Sequence, residues 1–105
     1  MVEIPVEIKK KIYLFLDELK GSDIPIERAY VFGSYAKGTS NEWSDVDLAI
    51  VSDKFVGDRL TDKNTIRKFK AKVDYILSPL PYRPEDFTED DLFVKEIIKT
   101  GIRII

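Results

Sequence analysis

Cysteine and histidine are both absent from this chain of 105 residues. The absence of cysteine excludes disulfide bonds and thiolate nucleophiles, and the absence of histidine excludes imidazole zinc sites and histidine general bases. Aspartate and glutamate together number 19. Carboxylates are therefore the side chains that remain for any metal chemistry.

Long apolar runs are also lacking, since no stretch approaches the length of a membrane span. The N-terminal sequence MVEIPVEIKKKIYLF shows no secretory leader with a cleavage site. We therefore expect a cytoplasmic protein that does not enter a membrane. Because 17 basic and 19 acidic residues leave a net charge of −2, we do not expect a nucleic-acid partner held by overall charge.

The length and the 44% hydrophobic content predict a single domain over 1–105, so that a large acceptor would need another chain to recognise it. Hydrophobic periodicity and turn residues predict helices and strands in alternation, as α/β folds require. The predicted order is a helix over 5–20, a strand over 29–32, a short helix over 34–37, a strand over 46–51, a surface helix over 58–70, a strand over 72–77, an irregular crossing at Pro79, Pro81 and Pro84, a helix capped near Thr88 and ended by Gly101, and an edge strand over 102–105. The fold class is thus a small mixed α/β sheet of about four strands with helices packed on it.

The stretch 33–50, GSYAKGTSNEWSDVDLAI, is the part of the chain in which we expect the functional site. Gly33 follows an apolar strand and permits a sharp turn, and Ser34 begins a short helix. Backbone N–H groups at the start of such a helix point at one spot, with the positive end of the helix dipole behind them. This arrangement predicts a phosphate-binding turn.

Two aspartates follow Ser34 after ten intervening residues. Side chains two apart on a strand point to the same face, so Asp45 and Asp47 project together, while Val46, Leu48 and Ile50 lie opposite. Neighbouring carboxylates repel each other unless a cation lies between them. Magnesium fits, because it prefers oxygen ligands and is usually held by one or two carboxylates plus substrate phosphates.

This spacing resembles the motif of the nucleotidyltransferase superfamily that includes the palm of DNA polymerase beta. More narrowly, it resembles the minimal nucleotidyltransferase branch, whose members are encoded beside HEPN-domain toxins in prokaryotes. Gly33, Ser34, Asp45 and Asp47 match its Gly-Ser, ten residues, Asp-x-Asp pattern without a gap. The resemblance is detailed over 24–77 and extends to the whole chain in size and element order.

The resemblance implies a polymerase beta-like fold and a third carboxylate on a later strand, where Asp74 within 72–77 is placed. It implies ATP as substrate and a two-metal Mg²⁺ site held by Asp45, Asp47 and Asp74, with Asp74 as the base. Gly33 and Ser34 would contact the triphosphate, and Lys37 is a further candidate. The implied reaction is transfer of AMP from ATP to a hydroxyl, specifically to a tyrosine of a HEPN toxin, with this chain acting as the antitoxin in complex with it.

Two other functions stay open. The chain could be a non-catalytic, nucleotide-binding antitoxin that neutralises its partner by contact, or a catalytic subunit acting on a small molecule or an RNA end. The oligomeric state is also open, and four aromatic residues are candidate interface anchors: Tyr35, Trp43, Phe55 and Tyr82. We expect the cations of the 58–70 helix to be solvated rather than to form a docking surface for an acidic partner or for the triphosphate. They are Arg59, Lys63, Arg67, Lys68 and Lys70.

Overall fold

A computed structural model describes residues 3–41 and 43–105, so residues 1, 2 and 42 lie outside the description. Residue 42 belongs to the stretch 39–44, which the sequence predicts to be a loop. Within these described ranges, four helices and four strands follow each other in the predicted order, with a short 3-10 turn at Pro84–Asp86. They are α1 (Val6–Gly21), β1 (Arg28–Phe32), α2 (Ser34–Lys37), β2 (Val46–Val51), α3 (Arg59–Val73), β3 (Leu77–Tyr82), α4 (Leu92–Thr100) and β4 (Ile102–Arg103).

The four strands form one mixed sheet in the order β3-β2-β1-β4. β1 runs antiparallel to both β2 and β4, whereas β2 and β3 are parallel and are joined by α3. This confirms the predicted fold class of a mixed four-stranded sheet with helices packed on it. The register places Phe32 of β1 and Ser78 of β3 on either side of Asp47 in β2.

The core lies on both faces of this sheet. Val46, Leu48 and Ile50 are fully buried with the apolar sides of α1 and α3, which confirms the face predicted for them. The alternate residues Ala49 and Val51 are buried on the other face beneath α4 and the 3-10 turn. Asp47 belongs to this second series, because it is two residues before Ala49.

The prediction of a strand over 72–77 is wrong. α3 continues through Val73, because Ile66, Phe69 and Val73 follow helical spacing and pack into the first core. Asp74 is the residue that ends this helix rather than a mid-strand carboxylate, and Tyr75 lies in the turn after it with 79% of its surface exposed.

The strand instead covers the segment predicted to be an irregular crossing, including Pro79 and Pro81. Ile76 and Tyr82 accept hydrogen bonds from β2, so the alternate residues Pro79 and Pro81 point away from it. β3 is an edge strand, and proline is tolerated at an edge when its missing N–H would face outward. The two prolines thus leave the outer edge without those donors, which discourages pairing with another chain.

One smaller feature also differs from the sequence predictions. α4 is capped by Asp91, not Thr88, since the Asp91 carboxylate accepts from the N–H groups of Phe93 and Val94 at 2.8 and 3.3 Å. In α3, Leu60 is exposed, whereas Asp62 is buried and accepts 2.9 Å hydrogen bonds from two amides of the preceding loop.

Among the four candidate interface aromatics, only Trp43 is exposed, with 85% of its surface accessible. The other three are core residues: Tyr35, Phe55 and Tyr82. In the part of the chain that the structure describes, no helix is both long enough and apolar enough to cross a membrane.

Candidate active site

The turn between β1 and α2 is formed by Gly33. Its dihedral angles, φ 71° and ψ −148°, lie in a region that only glycine adopts readily. The Gly33 carbonyl accepts from the N–H groups of Ala36 and Lys37, both at 3.1 Å, which closes the single turn of α2 before Gly38 ends it. Within the described residues, the amides of Ser34 and Tyr35 have no hydrogen-bond acceptor, so they are the donors available to a phosphate.

The second half of the motif is held directly against this turn. A Cβ atom on Gly33 would lie only 3.1 Å from Cγ of Asp47 and would collide with the nearer carboxylate oxygen. Asp47 is half-buried in β2, and Asp45 is exposed just before the strand. The strand pairing of Phe32 with Asp47 fixes this approach.

The two aspartates influence each other. Burial, followed by the negative charge of Asp45, raises the pKa of the Asp47 carboxyl above its ordinary value. Across the described residues 3–41 and 43–105, no salt bridge reaches the Asp47 carboxylate. A bound cation would supply the compensation that the chain does not.

A cleft of about 240 Å³ opens beside this carboxylate. Gly33, Lys37 and Asp47 line it on the side of the sheet, which brings three of the predicted site residues together. The opposite wall comes from α4; its lining residues are Phe93, Glu96, Ile97 and Thr100. The Phe93 ring meets Phe32 edge to face, with the ring centroids 5.7 Å apart, and remains half exposed.

The predicted third carboxylate has other partners. Asp74 accepts a 2.7 Å hydrogen bond from the Lys11 ammonium of α1 and a 3.0 Å bond from the N–H of Ile76. The Lys11 hydrogen bond, followed by that of Ile76, lowers the pKa of the Asp74 carboxyl, while Asp74 raises the pKa of Lys11. In this structure Asp74 connects the C-terminal end of α3 to Lys11 within α1.

The residues fit a metal only in part. The described stretches 3–41 and 43–105 contain no group of three or more metal-binding side chains close enough together to hold an ion, so Asp74 does not complete a site with the aspartate pair. Asp45 and Asp47 are nevertheless suitable for one magnesium ion, because magnesium takes much of its coordination from water and substrate phosphates. The two carboxylates fit a metal that arrives with a nucleotide.

The sequence alone did not predict that α4 forms one wall of the cleft, or that Ser78 lies beside Asp47. The apolar spacing of α4 predicts a helix, but only the tertiary packing shows that Phe93, Glu96 and Thr100 face the motif. Ser78 is the strand partner of Asp47 on β3, and this position is known only from the register. No local signal in the sequence marks either feature.

This chain is similar in sequence and in fold to known proteins. Residues 9–105 match the family described as "Nucleotidyltransferase domain". A Methanocaldococcus jannaschii protein, provisionally named a protein adenylyltransferase, is 31% identical over 108 residues, which cover 99% of this chain and 98% of that protein. A crystal structure from Sulfolobus solfataricus, provisionally described as a nucleotidyltransferase, is similar in fold with a TM-score of 0.60 and 18% identity, covering 98% of this chain and 89% of the other. The family match over nearly the whole chain shows that it belongs to the nucleotidyltransferase domain family of the polymerase beta-like superfamily.

Proposed function

We propose that this nucleotidyltransferase transfers AMP from ATP to a hydroxyl of a protein, specifically a tyrosine of a HEPN-domain toxin for which it serves as antitoxin. The contact between Asp47 and the Gly33 turn carries the proposal, because it brings one carboxylate of the Asp45–Asp47 pair against a turn with free backbone amides, beside one cleft. The name of the Methanocaldococcus jannaschii relative supports protein adenylylation as the reaction.

The nucleotide would bind with its phosphates at the turn. The amides of Ser34 and Tyr35 would donate to the phosphate oxygens, and the Lys37 ammonium, which lines the same cleft, would offset their charge. Phe93 on the opposite wall offers an exposed ring on which a base can stack. The cleft would thus hold the two ends of ATP on different elements.

The transfer reaction requires the acceptor oxygen to approach the α-phosphorus of ATP in line with the leaving pyrophosphate oxygen. A bond forms from the hydroxyl oxygen to that phosphorus, the bond to the bridging oxygen breaks, pyrophosphate leaves, and the hydroxyl proton passes to water. Asp45 and Asp47 would hold Mg²⁺, which when bound neutralises phosphate charge. The remaining rate acceleration comes from the chain holding ATP and the acceptor in the correct relative position. A role for Asp74 as base or third ligand stays a prediction, because in this structure it is paired with Lys11.

The test uses the full chain with Mg²⁺ and ATP labelled at the α-phosphate, mixed with a purified HEPN-domain protein. We expect label on a tyrosine of that protein with the wild type and none with Asp45→Asn or Asp47→Asn. Asp53→Asn, an exposed aspartate in the loop after β2, is the matched control and should transfer at the wild-type rate. Absence of label with both Mg²⁺ and Mn²⁺ would refute protein adenylylation.

A second candidate is contact neutralisation by a nucleotide-binding but non-catalytic antitoxin. The observation that favours it is the engagement of Asp74 with Lys11, which leaves Asp45 and Asp47 as the predicted metal-binding carboxylates at the site. The Asp45→Asn/Asp47→Asn double variant separates the two candidates. Neutralisation of the toxin survives this double variant if contact is sufficient, and it is lost if transfer of AMP is required.

A further inference from the structure

A second depression, a groove of about 150 Å³, lies between α3 and the edge strand β3. Its rim carries three cations, and its apolar floor is formed by Ile66 and Pro79. The cations are Lys63, Arg67 and Lys70. They are spaced four and three residues apart on α3, so they project from one face of the helix over about 10 Å.

These three cations differ from their neighbours on α3. Lys72 is within 3.8 Å of Glu18, and Lys68 lies 5.2 Å from the ring centre of Phe69. Across 3–41 and 43–105, the structure shows no salt bridge to any of the three groove cations. A chain with a net charge of −2 therefore concentrates uncompensated positive charge at one groove.

The groove lies at the β3 edge of the sheet on the face covered by α3, whereas the Asp47 carboxylate lies on the face covered by α4. Ser78, which lines the groove, is the β3 neighbour of Asp47, whereas Gly33 follows β1 on the other side of β2. If the nucleotide phosphates occupy the Gly33 side, an acceptor approaching Asp47 from the opposite side passes over β3. The groove cations are then reached by a segment of the acceptor that continues around the β3 edge past Ser78.

We propose that this groove binds an acidic segment of the protein acceptor, close to the hydroxyl that receives AMP. This inference rests on the proposed function and adds a substrate class to it: an acceptor hydroxyl flanked by aspartate or glutamate. An acidic peptide fits better than RNA, because no aromatic ring lines the groove for base stacking. Pro79 and Pro81 also withhold outward N–H groups, so the peptide is held through its charges and not as an added strand.

The first measurement is binding without catalysis. A fluorescent tyrosine peptide rich in glutamate is titrated with wild-type protein by anisotropy, beside a peptide in which glutamine replaces every glutamate. We expect the acidic peptide to bind more tightly, and the Lys63→Gln/Arg67→Gln/Lys70→Gln variant to bind it about tenfold more weakly, as three exposed ion pairs of ordinary strength would give. A Lys9→Gln/Lys10→Gln/Lys20→Gln variant on exposed positions of α1 matches the change in net charge and should bind like the wild type.

The second measurement is transfer of labelled AMP to the same two peptides. We expect the groove variant to raise KM for the acidic peptide with kcat almost unchanged, and to leave KM for the glutamine peptide unaltered. Equal binding of both peptides, equal loss in the α1 control, or tighter binding of a single-stranded RNA at the same groove would overturn the proposal. Groove-dependent peptide binding without any transfer of AMP would refute the proposed function while leaving the groove assignment in place.

Discussion

The Asp47 carboxylate occupies the space that a side chain on Gly33 would need. A Cβ atom there would lie 3.1 Å from Cγ of Asp47 and closer still to its carboxylate oxygen. The two halves of the motif, fourteen positions apart in the chain, are therefore one structural unit across the β1–β2 pairing. Glycine is required at position 33 both by its backbone angles and by this contact.

Replacing Gly33 with alanine is expected to lower the free energy of unfolding by about 1–3 kcal/mol, the cost of a strained backbone conformation for a residue other than glycine. It should also displace Asp47 and abolish binding of Mg²⁺ and ATP. Thermal unfolding and calorimetric titration measure the two effects. Gly21→Ala is the control, because nothing lies within 4 Å of its added Cβ, and it should leave both quantities unchanged or stabilise slightly. Wild-type binding by Gly33→Ala would contradict the role of this contact.

The sequence predicts well the parts of the fold that depend on local pattern. The order of elements, the turn at Gly33 and the buried face of β2 all follow from spacing and turn residues, and the structure confirms them. Burial of Val46, Leu48 and Ile50 fixes which face Asp47 occupies. Once this face is known, the contact of Asp47 with Gly33 depends only on the pairing of β1 with β2.

The third strand shows where such reasoning fails. Val73, Tyr75 and Leu77 alternate like a strand, but Val73 also continues the helical series of Ile66 and Phe69, and burial against the first core favours the helix. Pro79 is compatible with a strand only at an edge, and the position of an edge depends on the whole sheet. The α4 wall of the cleft could not be predicted either, because it too depends on how the whole chain packs.

Asp47→Asn is expected to stabilise the protein in the absence of nucleotide. The pKa of Asp47 is raised, so the folded state binds its proton more tightly than the unfolded state, and stability falls as pH rises through that raised pKa. At neutral pH the wild type carries this cost, which asparagine removes. We expect a melting temperature a few degrees higher at pH 7 and no difference at a pH below the ordinary carboxyl pKa. Lower stability of Asp47→Asn at both pH values would contradict this account.

Binding of Mg²⁺ is expected to weaken on acidification at a higher pH than an ordinary aspartate would require. Protonation of Asp47 removes a ligand charge, and its pKa is raised by burial and by Asp45. Asp45→Asn removes the second of these causes, so the acid limb of the remaining binding should shift to lower pH. The measurement is calorimetric titration of Mg²⁺ with a non-hydrolysable ATP analogue across a pH series. An unshifted acid limb would show that Asp45 does not influence Asp47.

Asp74→Asn and Lys11→Gln are expected to have the same effect, a loss of about 0.5–1 kcal/mol in the free energy of unfolding, because the pair is partly exposed. The pKa of Asp74 is lowered in the fold, so its contribution is present above the ordinary carboxyl pKa and is lost as pH falls through the folded value. The double variant should lose no more than either single variant. If Asp74→Asn abolishes AMP transfer while Lys11→Gln does not, Asp74 acts at the reacting groups rather than as a helix tie.

Phe93→Ala is expected to weaken ATP binding about tenfold, since stacking of a base on an aromatic ring is worth about 1–3 kcal/mol. The ring lines the cleft opposite Lys37 and Asp47, and half of its surface is exposed. Leu92→Ala is the matched control, because Leu92 is an exposed apolar residue at the start of α4 and does not line the cleft.

Dissociation constants for ATP and for inorganic triphosphate, measured by calorimetry, distinguish a base contact from general damage to the cleft. Loss of ATP affinity with unchanged triphosphate affinity is the expected result, because triphosphate has no base to stack. Equal losses for both ligands would show that Phe93 acts by packing against Phe32 at the end of β1, next to the Gly33 turn, and so maintains the phosphate site. Unchanged affinity for both would place the base elsewhere, with Trp43, the exposed aromatic before Asp45, as the next ring to replace.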